Sequence, residues 1–175
     1  MAVVSDTSPL TNLIAINRLD LLHQLYGRIT IPEAVLHELT SSSKGDQEPG
    51  TAMLAEDELQ ALSWIEIRAI TDRPLVASLL LELDEGEAEA IALAVELKAE
   101  LLLIDERRGR RTAARLGVRP TGLLGALIEA KHRGFIPEIK SLLDDLIVKA
   151  GFWISRELYT RALQEAGEEE HGRAS

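Results

Sequence analysis

Four acidic residues stand where a carboxylate does not help a chain to fold. Two of them directly follow apolar runs and two interrupt the apolar faces of helices; they are Asp6, Glu38, Glu87 and Asp105. Burying a carboxylate is expensive because the charge loses its water. A divalent cation bound through oxygens compensates several carboxylates at once. The chemistry that these residues predict is therefore a metal site for a hard divalent ion.

The two aspartates each end an apolar run of the kind that forms a buried strand. Asp6 closes the run that begins at Ala2, and Asp105 closes the run over residues 101–104. Strands covered on both faces of a sheet are apolar throughout, and parallel sheets bind ligands beyond the carboxyl ends of their strands. We therefore expect both carboxylates at one edge of a sheet. The alternative is that each aspartate only caps the helix after it.

The two glutamates are expected on helix faces that turn inward. Glu87 shares helical spacing with Ala90 and Ala94, which predicts a buried position, whereas Glu89 is expected on the solvated side. The alternative for Glu87 is that it complements the helix dipole. Glu38 interrupts the apolar stripe of a short helix, near the end where the dipole disfavours an anion. Its alternative is a side chain that reaches water or pairs with a basic group.

The elements that must position these residues alternate along the chain. Strands are predicted over residues 2–5, 28–31, 64–70 and 101–104, with a short last one near Val118. Helices fill the intervals, and Gly86 is expected to separate a helix over residues 73–83 from one that begins at Glu87. Residues 40–51 are predicted to form a mobile loop. This order predicts an α/β fold, a three-layer sandwich with a mostly parallel central sheet.

The C-terminal part is predicted to be helical. We expect a first domain over residues 1–132 and a helical extension over 133–175, packed on the same domain and ending in a frayed acidic tail that includes Glu168. Helices over 137–148 and 155–166 carry apolar stripes, which either pack on the domain's own sheet or dock a partner. Trp64 and Trp153 are interpreted as packing residues.

Composition excludes several classes of protein. The chain has 175 residues, enough for one domain with a real core, and its lack of cysteine excludes disulfides and thiolate chemistry. No segment has the pattern of a signal peptide or a membrane span, so we expect a cytoplasmic protein without a membrane partner. A net charge of −10 argues against a generally basic surface, although five arginines crowd between Arg107 and Arg115.

Two segments of the chain resemble a known family. The run from Val3 to Leu10, Val-Val-Ser-Asp-Thr-Ser-Pro-Leu, is similar to the N-terminal motif of PIN domains, and the run from Glu87 to Ala94 resembles the helix of their third acidic residue. Glu38 and Asp105 fall where the family has its second and fourth. The resemblance covers about residues 1–132 and is strongest to a bacterial and archaeal branch that includes VapC-like ribonuclease toxins.

The resemblance implies a PIN-like fold and metal-dependent hydrolysis of RNA. Asp6, Glu38, Glu87 and Asp105 would hold Mg²⁺ or Mn²⁺ and carry catalysis. It also implies an RNA substrate and a small antitoxin protein as a possible partner. A homodimer is expected because dimers are common among soluble proteins of this kind. The chain departs from many toxin members in having Glu87 in place of Asp and Leu103 in place of Thr or Ser.

Four further residues are candidates for contact with the substrate: Ser8, Arg107, Arg108 and Arg111. Ser8 either orients a ligand or phosphate or caps a helix, and the arginines either bind the RNA backbone or form a solvated basic helix face. Two other functions remain open. The first is a catalytically silent module that binds a protein or nucleic acid. The second is a metal-dependent phosphatase, although no Asp-x-Asp motif follows the first strand.

Overall fold

A computed structural model describes residues 2–40 and 54–168. Within them a single sheet has the strand order β3-β2-β1-β4-β5, and its neighbouring strands all run parallel. The strands are β1 (Val3–Ser5), β2 (Ile29–Pro32), β3 (Ile65–Arg68), β4 (Leu101–Leu103) and β5 (Pro120–Thr121). The predicted α/β fold with a parallel central sheet is confirmed. The last strand begins at Pro120, not near Val118.

Helices cover both faces of the sheet. They are α1 (Thr7–Ala15), α2 (Asp20–Tyr26), α3 (Glu33–Thr40), α4 (Glu56–Gln60), α5 (Arg73–Leu79), α6 (Glu85–Glu96), α7 (Arg107–Arg115), α8 (Leu123–His132), α9 (Lys140–Lys149) and α10 (Arg156–Glu165). In the part of the chain that the structure describes, no helix is long and apolar enough to cross a membrane. The predicted mobile loop lies outside the described residues, apart from Thr40, which ends α3.

The prediction that Gly86 separates two helices is wrong. The first helix, α5, already ends at Leu79, and Gly86 lies inside the first turn of α6. The break comes earlier because Asp84 caps α6, its side chain accepting a hydrogen bond from the backbone N–H of Glu87 at 2.8 Å. The cap sets the start of α6 at Glu85 and leaves a short turn behind α5.

The sheet separates two apolar clusters. Val3 and Leu103 belong to one cluster, and their neighbours Val4 and Leu102 belong to the other, as the alternation of side chains along a strand requires. The first cluster is built from helices α1, α2, α3, α4, α8, α9 and α10, and the second from α5, α6 and α7. Because both faces are covered, the strands are apolar and their carboxyl ends are the polar edge.

The C-terminal helices share this core. Leu143 and Leu146 of α9 and Leu163 of α10 are almost fully buried in the first cluster. α9 begins at Lys140, three residues later than predicted. The stripes therefore pack largely on the chain's own domain, while Ile147 and Val148 stay exposed. The proposed boundary at residue 132 stays a prediction.

Two glutamates expected in water are held by the chain instead. Glu89 is 4% exposed; it accepts a hydrogen bond from the Ala34 N–H at 3.2 Å and pairs with Arg73 at 3.3 Å. The surrounding helices α3 and α5, not its own helix face, decide this burial.

Glu168 was expected in a frayed tail, and that expectation is wrong too. Its carboxylate accepts the N–H groups of Ile139 at 2.7 Å and Lys140 at 3.2 Å, and it pairs with Lys131 at 3.0 Å. It therefore satisfies the first N–H groups of α9. Residues 169–175 of the predicted tail lie outside the described residues.

Candidate active site

Asp6 and Asp105 lie at the carboxyl ends of two adjacent strands. β1 and β4 pair with Ser5 opposite Leu103, and the Asp6 N–H continues the ladder by donating to the Leu103 carbonyl at 2.8 Å. Asp105 follows two residues beyond Leu103, so both aspartates reach the predicted edge. Asp6 is 4% exposed and occupies the N-cap position of α1, but its side chain makes no capping hydrogen bond. Its carboxyl group is therefore free for another role.

The two carboxylate oxygens of Asp105 have different surroundings. Its Oδ1 accepts the N–H of Leu123, the first residue of α8, at 2.7 Å, so it caps α8 instead of the expected α7. Its Oδ2 is buried and has no hydrogen-bond partner among the described residues. Burial raises the pKa of Asp105, while the Leu123 N–H and the Arg110 charge act against the rise. A buried oxygen without a partner is costly unless a ligand satisfies it.

Glu87 is buried in the first turn of α6, as predicted, with 8% of its surface exposed. Burial raises its pKa to about 7, and the negative charges of Asp84, Glu106 and Glu38 add to the rise. Asp84 was missed by the sequence analysis. Its signal was present, since an acidic side chain three residues before a glutamate is typical of a helix capping arrangement.

Glu38 reaches the site by a different route from the one expected. It does not interrupt the buried stripe of α3, because its side chain lies on the exposed side of that helix. Its carboxylate accepts a hydrogen bond from the Thr7 hydroxyl and approaches α6 at Gly86. A Cβ atom at Gly86 would lie 2.7 Å from Glu38 Oε1, so only glycine leaves room for this carboxylate.

The carboxylates act on one another. Burial is the main reason that the pKa of Asp6 rises to about 8, and the charges of Glu87, Asp84 and Glu38 raise it further, against a backbone hydrogen bond from Thr7. We call Asp6, Glu38, Asp84 and Glu87 the acidic cluster. Asp105 lies beside it, and the charge of Glu106 raises the pKa of both Glu87 and Asp105. Asp6, Glu38 and Glu87 thus influence one another, and Asp105 follows the neighbouring strand at the same edge of the sheet. That all four form one site stays a prediction.

A cavity of about 750 Å³ opens next to this edge. Asp105, Ser8, Arg107 and Arg110 are among the residues that line it. Ser8 therefore lines the same cavity as Asp105, and its contact with a substrate stays a prediction. Arg110 was not predicted, although it lies one helical turn from Arg107 and so shares its face of α7.

The other two predicted arginines lie elsewhere. Arg108 and Arg111 line a separate groove together with Glu82 and Arg115, and Arg108 donates to the Glu82 carbonyl at 3.2 Å. The arginines of α7 are thus divided between two faces of the helix, and only one face joins the cavity at Asp105.

The family described as DUF3368, PIN domain, matches residues 2–168. This chain belongs to the PIN-domain family. Members of the family are generally nucleases. Among solved structures, a PilT N-terminus domain protein from the hyperthermophilic archaeon Sulfolobus solfataricus P2 is similar at 18% identity, with a TM-score of 0.49, over 74% of this chain and 93% of that one. No curated protein matches.

PIN domains usually use divalent metals, and the donors of this PIN domain fit such an ion. All are carboxylate oxygens, the ligands that Mg²⁺ and Mn²⁺ prefer, and Asp105 Oδ2 is buried without a partner. In the side-chain positions described for residues 2–40 and 54–168, no three His, Asp or Glu side chains are disposed to hold a metal as they stand.

Proposed function

We propose that this PIN domain is an endoribonuclease that hydrolyses RNA phosphodiesters with Mg²⁺ or Mn²⁺. The observation that carries the proposal is the burial of Asp6 among the carboxylates of Glu38, Asp84 and Glu87, next to the unpartnered oxygen of Asp105. Such a group of carboxylates is unfavourable for folding. A bound cation would remove that cost, and the same ion would serve the hydrolysis of a phosphodiester.

The residues have distinct roles in this proposal. Asp6, Glu38, Glu87 and Asp105 would hold the metal, which when bound activates water as a nucleophile and stabilises the leaving oxygen. The Leu123 N–H fixes one oxygen of Asp105 and so aims the other into the site. Arg107 and Arg110 would bind the phosphates that enter the cavity, and Ser8 would contact the same backbone.

The finer biological role is also a proposal. We propose a cytoplasmic toxin of a toxin–antitoxin pair, which forms a homodimer and is bound by a small antitoxin protein. The sequence resemblance to a VapC-like branch supports this role. Ile147 and Val148, exposed on α9 at 39% and 81%, provide an apolar surface on which a second chain can pack.

The test is an RNA-cleavage assay of the purified protein with EDTA or with added Mn²⁺. We expect cleavage only with Mn²⁺ and its loss in Asp6→Asn, which keeps the shape of the side chain and removes its charge. Asp145→Asn is the matched control, because Asp145 pairs only with Lys149 on the surface of α9. No cleavage by wild-type protein across saturating Mn²⁺ and a range of RNAs would favour the silent binding module.

A further inference from the structure

The cavity beside Asp105 has a second, apolar wall. The chain between α9 and α10 supplies Phe152, Trp153 and Ile154 to this wall, and Leu158 adds to it from α10. Trp153 is 84% exposed, so its interpretation as a packing residue is wrong. Single exposed apolar side chains are normal on proteins. Trp153 differs because it faces the same cavity as Asp105.

The indole of Trp153 stands on a segment that is fixed at both ends. Gly151 ends α9 with a φ of 67°, and the Phe152 N–H donates to the Leu146 carbonyl at 3.0 Å. Phe152 packs against the large apolar cluster, which leaves its neighbour Trp153 facing outward. The Ser155 hydroxyl then caps α10 by accepting the Leu158 N–H at 3.1 Å. Because the segment is already ordered, a ligand of Trp153 meets a preorganised surface.

Charge decides what kind of ligand suits this wall. Arg107 and Arg110 line this cavity together with Trp153, and the acidic residues Asp105, Glu106 and Glu165 line it as well. The charge of Arg110 acts on the carboxyl group of Asp105. Proteins bind single-stranded nucleic acid where cations contact the phosphates and aromatic rings stack on the bases. The two guanidinium groups give phosphates a place to bind in the space that the indole ring also faces.

We propose that Trp153 stacks on a nucleobase of single-stranded RNA whose phosphates are bound by Arg107 and Arg110. This inference rests on the proposed function and adds to it a residue that contacts a base. A base in a duplex is already stacked on its neighbours, so it cannot offer a face to Trp153. The proposal therefore predicts a preference for single strands and little dependence on sequence, because every base has a face to stack.

The test measures binding in EDTA, where the RNA stays intact, with a short single-stranded oligonucleotide, its duplex and an abasic strand of the same length. We expect the single strand to quench Trp153 fluorescence and to bind wild-type protein about 5- to 150-fold more tightly than it binds Trp153→Ala. Trp153→Phe should retain part of that affinity, since phenylalanine also stacks. The abasic strand should bind wild-type protein and Trp153→Ala equally weakly.

The matched control is Leu81→Ala, which alters an apolar residue of similar exposure, 85%, in the turn after α5 and outside the cavity. Trp64 provides the internal reference for fluorescence, because it stacks on His23 with ring centroids 5.1 Å apart. Equal binding of abasic and normal strands by wild-type protein would overturn the proposal. So would unchanged RNA binding in Trp153→Ala together with a changed oligomeric state, which would assign this wall to a protein partner.

Cleavage with Mn²⁺, measured separately on the same proteins, distinguishes this failure from failure of the proposed function. Cleavage that persists while stacking is absent refutes only the role of Trp153. Binding that depends on Trp153, without any cleavage, supports the stacking and refutes the nuclease.

Discussion

Buried acidic groups occur in two kinds of place in this molecule, and their surroundings differ. Glu89 and Glu168 are each met by backbone N–H groups and by a basic side chain of the chain itself. The acidic cluster is met mainly by more carboxylates, and its central residue, Asp6, has a pKa raised to about 8. The difference separates carboxylates that stabilise the fold from carboxylates for which we propose a bound cation.

The strongest way to test this comparison is to change one member of each kind on the same helix. Glu87→Gln should reduce RNA cleavage by about 10²–10³-fold, the usual cost of losing a group that stabilises developing charge. Glu89→Gln, two residues further along α6, should leave the cleavage rate of the folded protein within about threefold and lower its stability instead, because it loses the pair with Arg73. Initial rates and thermal melts of both variants are the measurements. Equal loss of cleavage in the two variants would contradict the distinction.

Metal binding should stabilise one kind of site only. At a Mn²⁺ concentration about 100 times its dissociation constant, the folded state gains about 2.7 kcal/mol, which raises Tm by about 5–10 °C for a chain of this size. The rise should disappear in Asp6→Asn and persist in Glu168→Gln. Calorimetry at constant pH measures both. A Tm of wild-type protein that does not change with Mn²⁺ would argue against a metal site.

The two kinds of carboxylate should also respond to pH with opposite signs. The pKa of Asp6 rises from 3.8 to about 8 on folding, so the folded state binds the extra proton and loses stability as pH rises from about 4 to 8. Without metal, Asp6→Asn should therefore be more stable than wild type at pH 8, by about 1–3 kcal/mol, and equally stable near pH 4. Urea titrations at the two pH values test this. A variant less stable than wild type at pH 8 would show that the ionised carboxylate is favourably paired.

The smallest effect is expected at Glu168. Burial tends to raise the pKa of Glu168, but the N–H groups of Ile139 and Lys140 and the charge of Lys131 outweigh it and lower the pKa. Its contribution is therefore present above its unfolded pKa and is lost as the pH falls through the lowered value. Glu168→Gln should cost about 1–2 kcal/mol at pH 7 and almost nothing in strong acid. If Glu168→Gln lowers stability equally at all pH values, the loss comes from how the amide packs in place of the carboxylate and not from the missing charge.

The sequence was most informative where one short segment determines the outcome. Asp6 and Asp105 were placed correctly because an apolar run followed by an acidic residue defines the end of a buried strand. Glu89 was misjudged because its burial depends on α3 and α5, which meet it from distant parts of the chain. Trp153 was misjudged because an aromatic residue in a mostly aliphatic chain is usually buried, and no local pattern shows that this one is not.

Arg110 illustrates a limit of a different kind. The arginines of α7 look alike in the sequence. Which of them face the cavity at Asp105 depends on the direction in which the helix leaves β4. That direction is set by packing against α6 and β5. Spacing along the helix does not settle the grouping, because Arg110 and Arg111 lie three and four residues after Arg107 and both neighbour it on the helix surface.

The position of β1 has a consequence for synthesis of the protein on the ribosome. β1 is the central strand and the first to be translated, yet its partner β4 is made about a hundred residues later. Pairing over such a separation is slow, because a long loop must close first. Asp105, beyond β4, is the last acidic residue of the site to emerge. The acidic residues at this edge of the sheet therefore come together only after more than half of the chain has been made.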